Sequence, residues 1–366
     1  MTEINARQEY NCPSCGAEAH WNPSKQALVC PYCGTISPAD ITPTGEIQEH
    51  DLPAALRAID PDHRGWMTEK QSVKCQSCQA ITVFDANRAA QRCDFCGSAA
   101  IIPVDQQTRP IRPDCLLELK LPETQVREAI RKWYGERWFA PNKLGTRALT
   151  DTVHGIYVPY WTFDAQVAAD WTAMSGDYYY ETESYTDGQG RRQTRQVRKV
   201  RWYPSNGHVD HFFDDELVPA TKGVDAGLLR RIEPFPTTSN LKPYDPAFLS
   251  GWVVEQYQID LVGAAQHAQQ VMEEKVRQLC AQQVPGDTHR DLEVDADFSK
   301  QTFKHILVPV WLLAYTYGRK NYQVVINGYT GAIAGRYPKS VIKITLLVLF
   351  ILAVIGGILF LTNQGR

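Results

Sequence analysis

No motor motif is present in this sequence. The phosphate loop G-x-x-x-x-G-K-[ST] is missing, and with it the backbone cradle and lysine that grip nucleotide phosphates, which excludes an autonomous ATPase or helicase engine. The nucleophile elbow G-x-S-x-G and the zinc-protease helix H-E-x-x-H are missing too, so neither serine-hydrolase nor zincin chemistry is encoded in its familiar form. The chain also lacks an excess of charge of either sign. Its 38 Lys and Arg stand against 41 Asp and Glu, a net charge of −3, so no global basic field draws it to nucleic acid. The first residues, Met1-Thr-Glu-Ile-Asn-Ala-Arg7, hold no apolar core, and no signal peptide is expected.

What the sequence does contain is a cysteine pattern written twice. Cys12-Pro-Ser-Cys15 is followed by fourteen residues and Cys30-Pro-Tyr-Cys33. Cys75-Gln-Ser-Cys78 is followed by fourteen residues and Cys93-Asp-Phe-Cys96. Each Cys-x2-Cys pair puts two thiolates on one tight turn, and two pairs complete a tetrahedron with Zn–S distances of about 2.3 Å. Gly16, Gly34 and Gly97 follow three of the pairs and let the chain turn back with positive φ. Paired disulfides or a thioredoxin-like motif are the competing readings, but two identically spaced copies without a βαβ unit fit zinc better. The expectation is two structural Zn2+ ions, one on Cys12, Cys15, Cys30 and Cys33, the other on Cys75, Cys78, Cys93 and Cys96. Four thiolates leave no open position for water, so neither ion is expected to be catalytic. Of the ten cysteines only Cys115 and Cys280 stand outside the pattern, as idle or buried thiols. Thiolate zinc sites need a reducing compartment, which points to the cytoplasm.

Along the chain, residues 11–36 form ribbon one, 37–72 a linker with a short helix capped by Asp51, and 73–103 ribbon two. A first α+β half is expected over 104–245. In it a strand at Leu116–Leu121 precedes an amphipathic helix from Pro122 to about Trp138, carrying Val126, Ile130, Trp133 and Tyr134 on one stripe. An aromatic strand over Gly155–Ala165 follows, then strands near 169–185 and 191–203 around the turn Asp187-Gly-Gln-Gly190. A second half over 246–338 repeats the plan with a helix from Asp260 to about Gln282 and a strand over Ile306–Tyr315. Val158-Pro-Tyr-Trp161 then matches Val308-Pro-Val-Trp311, each behind a helix and ahead of a hairpin, which reads as an internal duplication. The fold class expected is therefore α+β: two four-cysteine zinc ribbons, a duplicated helix-plus-antiparallel-sheet domain and one C-terminal transmembrane helix.

That last helix is expected at 341–362. Ile344–Thr362 contains no charge and spans roughly 28 Å as a helix, close to a hydrocarbon core of ~30 Å. Arg336, Lys339 and Lys343 precede it, so the positive-inside rule leaves the N-terminal bulk in the cytoplasm of a single-pass, tail-anchored membrane protein.

Lesser signals weigh lightly. His208 and His211, with Asp210 and Asp214 nearby, are too loosely spaced for a firm metal site, and Asp214-Asp-Glu216 reads as a solvated turn. The basic run Arg191–Arg201 offers contacts to lipid heads or phosphates, but its hairpin partner carries Asp177, Glu181 and Glu183, and opposed strands neutralise each other. The ribbons lack a dense basic stripe: residues 1–40 carry a net charge of −2 and residues 70–100 a net charge of +2. Protein docking through exposed Trp21, Tyr32 and Phe95 is favoured over nucleic-acid binding.

His20-Trp-Asn-Pro-Ser-Lys-Gln-Ala-Leu-Val-Cys30-Pro-Tyr-Cys-Gly34, Val73-Lys-Cys-Gln-Ser-Cys78, Cys93-Asp-Phe-Cys-Gly-Ser98, both V-P-x-W strands and the apolar tail together resemble bacterial membrane-anchored double zinc-ribbon proteins, often labelled primosomal replication factor or superfamily II helicase. The resemblance covers nearly the whole chain and implies association with membrane-stress proteins and flotillin-like scaffolds. The reading that follows is a non-enzymatic adaptor that recruits protein partners to the cytoplasmic membrane face through zinc-built ribbons. A membrane-tethered nucleic-acid-binding protein is the alternative, and an enzyme using a cleft between the halves is the third.

Overall fold

A computed structural model describes residues 10–37, 46–58, 71–84, 93, 95, 98, 101–104, 111–141, 153–186, 188–318 and 320–364. Ribbon one contributes β1 (His20–Asn22), β2 (Ala27–Val29) and β3 (Ile36–Ser37), paired antiparallel as a separate small sheet. β4 (His50–Asp51) leads into α1 (Leu52–Arg57), whose first turn is capped by the Asp51 carboxylate accepting from Ala54 N. Ribbon two supplies β5 (Gln71–Cys75), β6 (Ile81–Phe84) and β7 (Ile101–Val104). β8 (Cys115–Leu116), α2 (Glu123–Gly135), β9 (His154–Thr186) and β10 (Arg192–Pro219) follow. Two short helices, α3 (Ala226–Leu229) and α4 (Thr237–Asn240), then precede β11 (Lys242–Pro243), a 3-10 turn at Pro246–Leu249 and β12 (Val253–Glu255). The chain ends with α5 (Leu261–Gln283), β13 (Thr288–Tyr317), β14 (Lys320–Asn327), β15 (Ile333–Gly335) and α6 (Val341–Gln364).

The frame is one 12-stranded sheet built on β9, β10 and β13, of 33, 28 and 30 residues. This corrects the expected α+β class, because sheet dominates and the helices are accessories to it. The aromatic strand expected at 155–165 and the strand expected near 169–185 are one strand. Ala165–Ala173 holds no proline or glycine to break it, and its odd residues are buried without interruption. The strand expected at Leu116–Leu121 shortens to the two residues of β8.

The two V-P-x-W segments lie directly opposite each other. β9 and β13 run antiparallel with Val158 paired to Val308, Pro159 to Leu307 and Tyr157 to Pro309. Around that pair the neighbours repeat. β12 runs parallel to β9 at Ile156 and Tyr157, and β8 runs parallel to β13 at Ile306 and Leu307. Each leading strand therefore pairs with the long strand of the other half. Beyond the motifs the outer neighbour changes, to β10 from Tyr160 onward and to β14 from Val310 onward. Pro159 and Pro309 sit where one neighbour ends and the next begins, a position at which a missing N–H costs no ladder bond. The indoles repeat the exchange. Trp161 Nε1 donates to Ile259 O (2.9 Å), one residue before the Asp260 cap of α5, and Trp311 Nε1 donates to Leu121 O (3.1 Å), one residue before Pro122 at the start of α2. Both indoles are at most 1% exposed.

Among the described residues no helix is long and apolar enough to cross a membrane. The expected span at 341–362, with the single-pass, tail-anchored localisation built on it, is corrected accordingly.

Candidate metal centres

Both knuckles of ribbon one close on backbone hydrogen bonds. Gly16 N donates to Cys12 O (2.8 Å) and Gly34 N to Cys30 O (3.0 Å), with both glycines at positive φ, 76° and 71°. The chain then returns, with Cys12 N donating to Ala17 O and Cys30 N to Thr35 O. In ribbon two the first pair has no following glycine, and Gln79 takes the left-handed conformation instead, φ 67°, donating to Cys75 O.

These turns bring the sulfurs together. The Sγ atoms of Cys12, Cys15, Cys30 and Cys33 all lie within 4.8 Å of one another. Cys12–Cys33 and Cys15–Cys30 are each 3.5 Å apart. A disulfide needs about 2.05 Å, whereas a tetrahedron with Zn–S near 2.3 Å has edges of ~3.8 Å. The spacing excludes a disulfide and is compatible with a shared ion. Thr35 prepares Cys33 for that role: its hydroxyl, 3.1 Å from Sγ, and its backbone N–H bring the thiol down to about 6. In ribbon two Cys75, Cys78 and Cys93 gather in the same way, with Cys78–Cys93 at 3.6 Å; Cys96, the expected fourth ligand, lies outside the described residues. Ser77 N and Phe95 N donate to the Cys75 and Cys93 sulfurs from 3.4 Å. Both clusters are geometrically compatible with metal binding.

The two ribbons are fastened to the frame differently. Ribbon one lies over one face. Trp21 is 3% exposed, donates through Nε1 to Leu119 O (3.3 Å), accepts at its carbonyl from Trp252 Nε1 (3.1 Å) and packs edge-on against Phe248. Ribbon two is part of the large sheet, since β6 pairs with β12 through Val83–Val254 and Thr82–Glu255. Phe95 is fully buried between them and the β8–β9 core. Trp21 and Phe95 are therefore corrected from candidate docking residues to core residues. Tyr32, 83% exposed on the second knuckle of ribbon one, keeps its place on the surface.

The lesser candidates separate. His208 and His211 sit three apart on β10, on opposite faces of the sheet. His208 bonds Asp170 (2.7 Å) and lies 3.3 Å from Asp210, while His211 packs edge-on against Phe213. Asp215 is buried, not part of a solvated turn. The strand bulges between Phe213 and Glu216 and turns its carboxylate inward, 2.9 Å from Lys304 Nζ. Asp164 accepts from Asp215 N and from the Thr302 hydroxyl beside it, and burial raises its pKa. Burial alone would lower the pKa of Lys304; the hydrogen bonds to Asp215 and Glu49 and the charges of Asp215 and Asp164 together outweigh burial and raise it. The pairing was illegible in sequence because its members are 89 residues apart.

No family model matches the chain, and no solved structure matches it. It is similar to the Bacillus subtilis (strain 168) protein described as "Uncharacterized protein YdjG", with 24% identity over 342 residues, covering 90% of each chain.

Proposed function

We propose that the chain is a non-enzymatic adaptor, in which two structural zinc ions hold the ribbons and ribbon one presents a docking surface for a protein partner. The observation that carries this reading is the closed thiolate set of Cys12, Cys15, Cys30 and Cys33, whose ligand atoms lie within 4.8 Å of one another. Such a set fills all four positions of a tetrahedral ion and leaves none for substrate or water, so the metal shapes the chain and performs no chemistry. The surface it shapes carries Tyr32, an aromatic ring held out by the knuckle, of the kind that anchors protein interfaces.

Metal analysis of the purified chain should return two zinc ions. Cross-linked neighbours recovered after nuclease treatment should include a protein lost from Tyr32→Ala while its zinc content stays unchanged. Neighbours that vanish on nuclease treatment would overturn the protein-docking reading in favour of nucleic acid. A chain without zinc would overturn the reading altogether.

A further inference from the structure

The bulge on β10 sets two residues of that strand against one of β9. Phe213 pairs with Ala165 and Glu216 with Phe163, so Asp214 and Asp215 together stand opposite Asp164. Their carboxylates converge: one oxygen each from Asp164, Asp214 and Asp215 lies within 4.8 Å of the other two. Among the described residues no other three carboxylates gather so closely. Asp164 and Asp215 are buried and Asp214 is exposed, so solvent reaches the group from one side.

Positive charge is short here. Lys304 Nζ is already engaged, 2.9 Å from Asp215 Oδ1 and 3.0 Å from Glu49 Oε1. Asp164 meets only neutral donors, Asp215 N at 2.6 Å and the Thr302 hydroxyl at 2.9 Å. Asp214 makes no hydrogen bond or ion pair among the described residues. Four carboxylates against one ammonium leave three negative charges uncompensated when all are ionised, and burial makes such an excess costly. Two buried oxygens beside them also lack partners. Asp215 Oδ2 has none, and neither has the hydroxyl of Thr162, a fully buried residue directly opposite Lys304 and two residues from Asp164 on the same face of β9. Each Asp164 oxygen accepts one bond and keeps a second lone pair.

We propose that Asp164, Asp214 and Asp215 bind a hard divalent cation of the Mg2+, Mn2+ or Ca2+ class. The donors are carboxylate oxygens, without sulfur or imidazole, and such donors select these ions. Oxygens bound at about 2.0–2.5 Å stand at most ~4–5 Å apart across the ion, so the three carboxylates reach one cation with little movement. The open side at Asp214 admits the waters that Mg2+ and Mn2+ retain. Lys304 and the ion then divide the cluster between them. The ammonium holds Asp215 Oδ1 and Glu49, and the ion takes Asp215 Oδ2, Asp214 and Asp164, clamping β10 to β9 at the bulge. The cysteine thiolates are soft donors and do not compete for such an ion.

The test titrates the purified full chain with Mn2+ and reads the free ion by electron paramagnetic resonance. One Mn2+ per chain should bind with a Kd on the order of 1 mM or tighter, and Mg2+ or Ca2+ should displace it. Asp214→Asn should weaken binding tenfold or more. Asp214 has no partner in the fold, so the variant should be no less stable than the wild type without added cation. Mg2+ should raise the denaturation midpoint of the wild type and leave that of the variant in place. Asp170→Asn is the control. Asp170 lies six residues further along β9, opposite Asp295, in an exposed acidic row on the face of β9, β10 and β13 that α5 leaves open among the described residues. Its loss should leave Mn2+ affinity within about twofold. Saturating Mg2+ should also slow hydrogen exchange at residues 162–164 and 213–216 and leave the ribbons unchanged. No bound Mn2+ in this range would mean that Lys304 alone satisfies an internal ion-pair network. Affinity unmoved by Asp214→Asn, or lost equally in Asp170→Asn, would put the ion elsewhere. Each of these results would overturn the proposal.

Discussion

His305 is an imidazole with no room for a second proton. Its ring is buried, Nδ1 bonds Ile111 O at 3.0 Å, and Nε2 has no hydrogen-bond partner among the described residues. It stacks on Trp161 with centroids 4.7 Å apart. Burial pushes its pKa down to about 4 from the usual 6.5. Between those two values the unfolded chain binds the proton and the folded chain does not, so this group's contribution is full above pH 6.5 and is lost as pH falls toward 4. Urea midpoints should show the loss, on the order of 2–3 kcal/mol across the window. His305→Phe keeps the stack and removes the titration; its acid slope should be shallower than that of the wild type by that amount, at a cost of about 1 kcal/mol at pH 7 for the unpaired Ile111 carbonyl. An unchanged slope would mean that His305 carries its proton in the fold. Nothing near position 305 in the sequence signals this burial, since its partners come from residues 111, 161 and 257. The cysteines were legible for the opposite reason: each ligand pair is local, and the chemistry fixes its spacing.

At the scale of elements, the informative feature is the paired tryptophan. Trp161 and Trp311 each tie the end of a long strand to the segment that starts the other half's helix, through the carbonyls of Ile259 and Leu121. Replacing either indole by phenylalanine leaves a half-buried carbonyl without this partner and a small void. Trp161→Phe and Trp311→Phe should each cost about 1–3 kcal/mol in chemical denaturation, similar in size because their surroundings repeat. A loss confined to one of them would show that the repeat is one of backbone only. The repeated V-P-x-W was visible in the sequence, and so was α5, expected from Asp260 and found from Leu261 with Asp260 capping Gly263 N at 2.9 Å. The exchange of β8 and β12 between halves was not visible. Strands of two and three residues carry too little alternation to announce themselves, and their partners are set by the long strands they meet. The length of β13 was missed because residues 288–300 are polar on the open face and only half-buried beneath α5.

For the whole molecule, the zinc ions proposed above would govern more than their own loops. Structural zinc contributes on the order of 10–16 kcal/mol of apparent binding energy, and small ribbons fold at its expense. Ribbon one returns part of that order to the frame: Trp21 N donates to Ser250 O, the Ser250 hydroxyl bonds Ala19 O, the Tyr10 hydroxyl bonds Asp245, and the Trp21 indole bonds Leu119 O. Cys12→Ser should therefore halve the zinc content and loosen segments far from it in sequence. Hydrogen exchange should quicken at residues 18–22, 116–121 and 245–252, while α5 and residues 165–173 of β9, packed against each other and away from either ribbon, keep their protection. Cys75→Ser should act elsewhere, on β6 and β12, because ribbon two enters the large sheet through them. The two variants thus separate a ribbon laid over the frame from a ribbon woven into it. Exchange that rises evenly over the whole chain in both variants would mean one cooperative unit with no such division. Exchange that rises only within the knuckles would mean that the ribbons are ornaments on a sheet that stands without them.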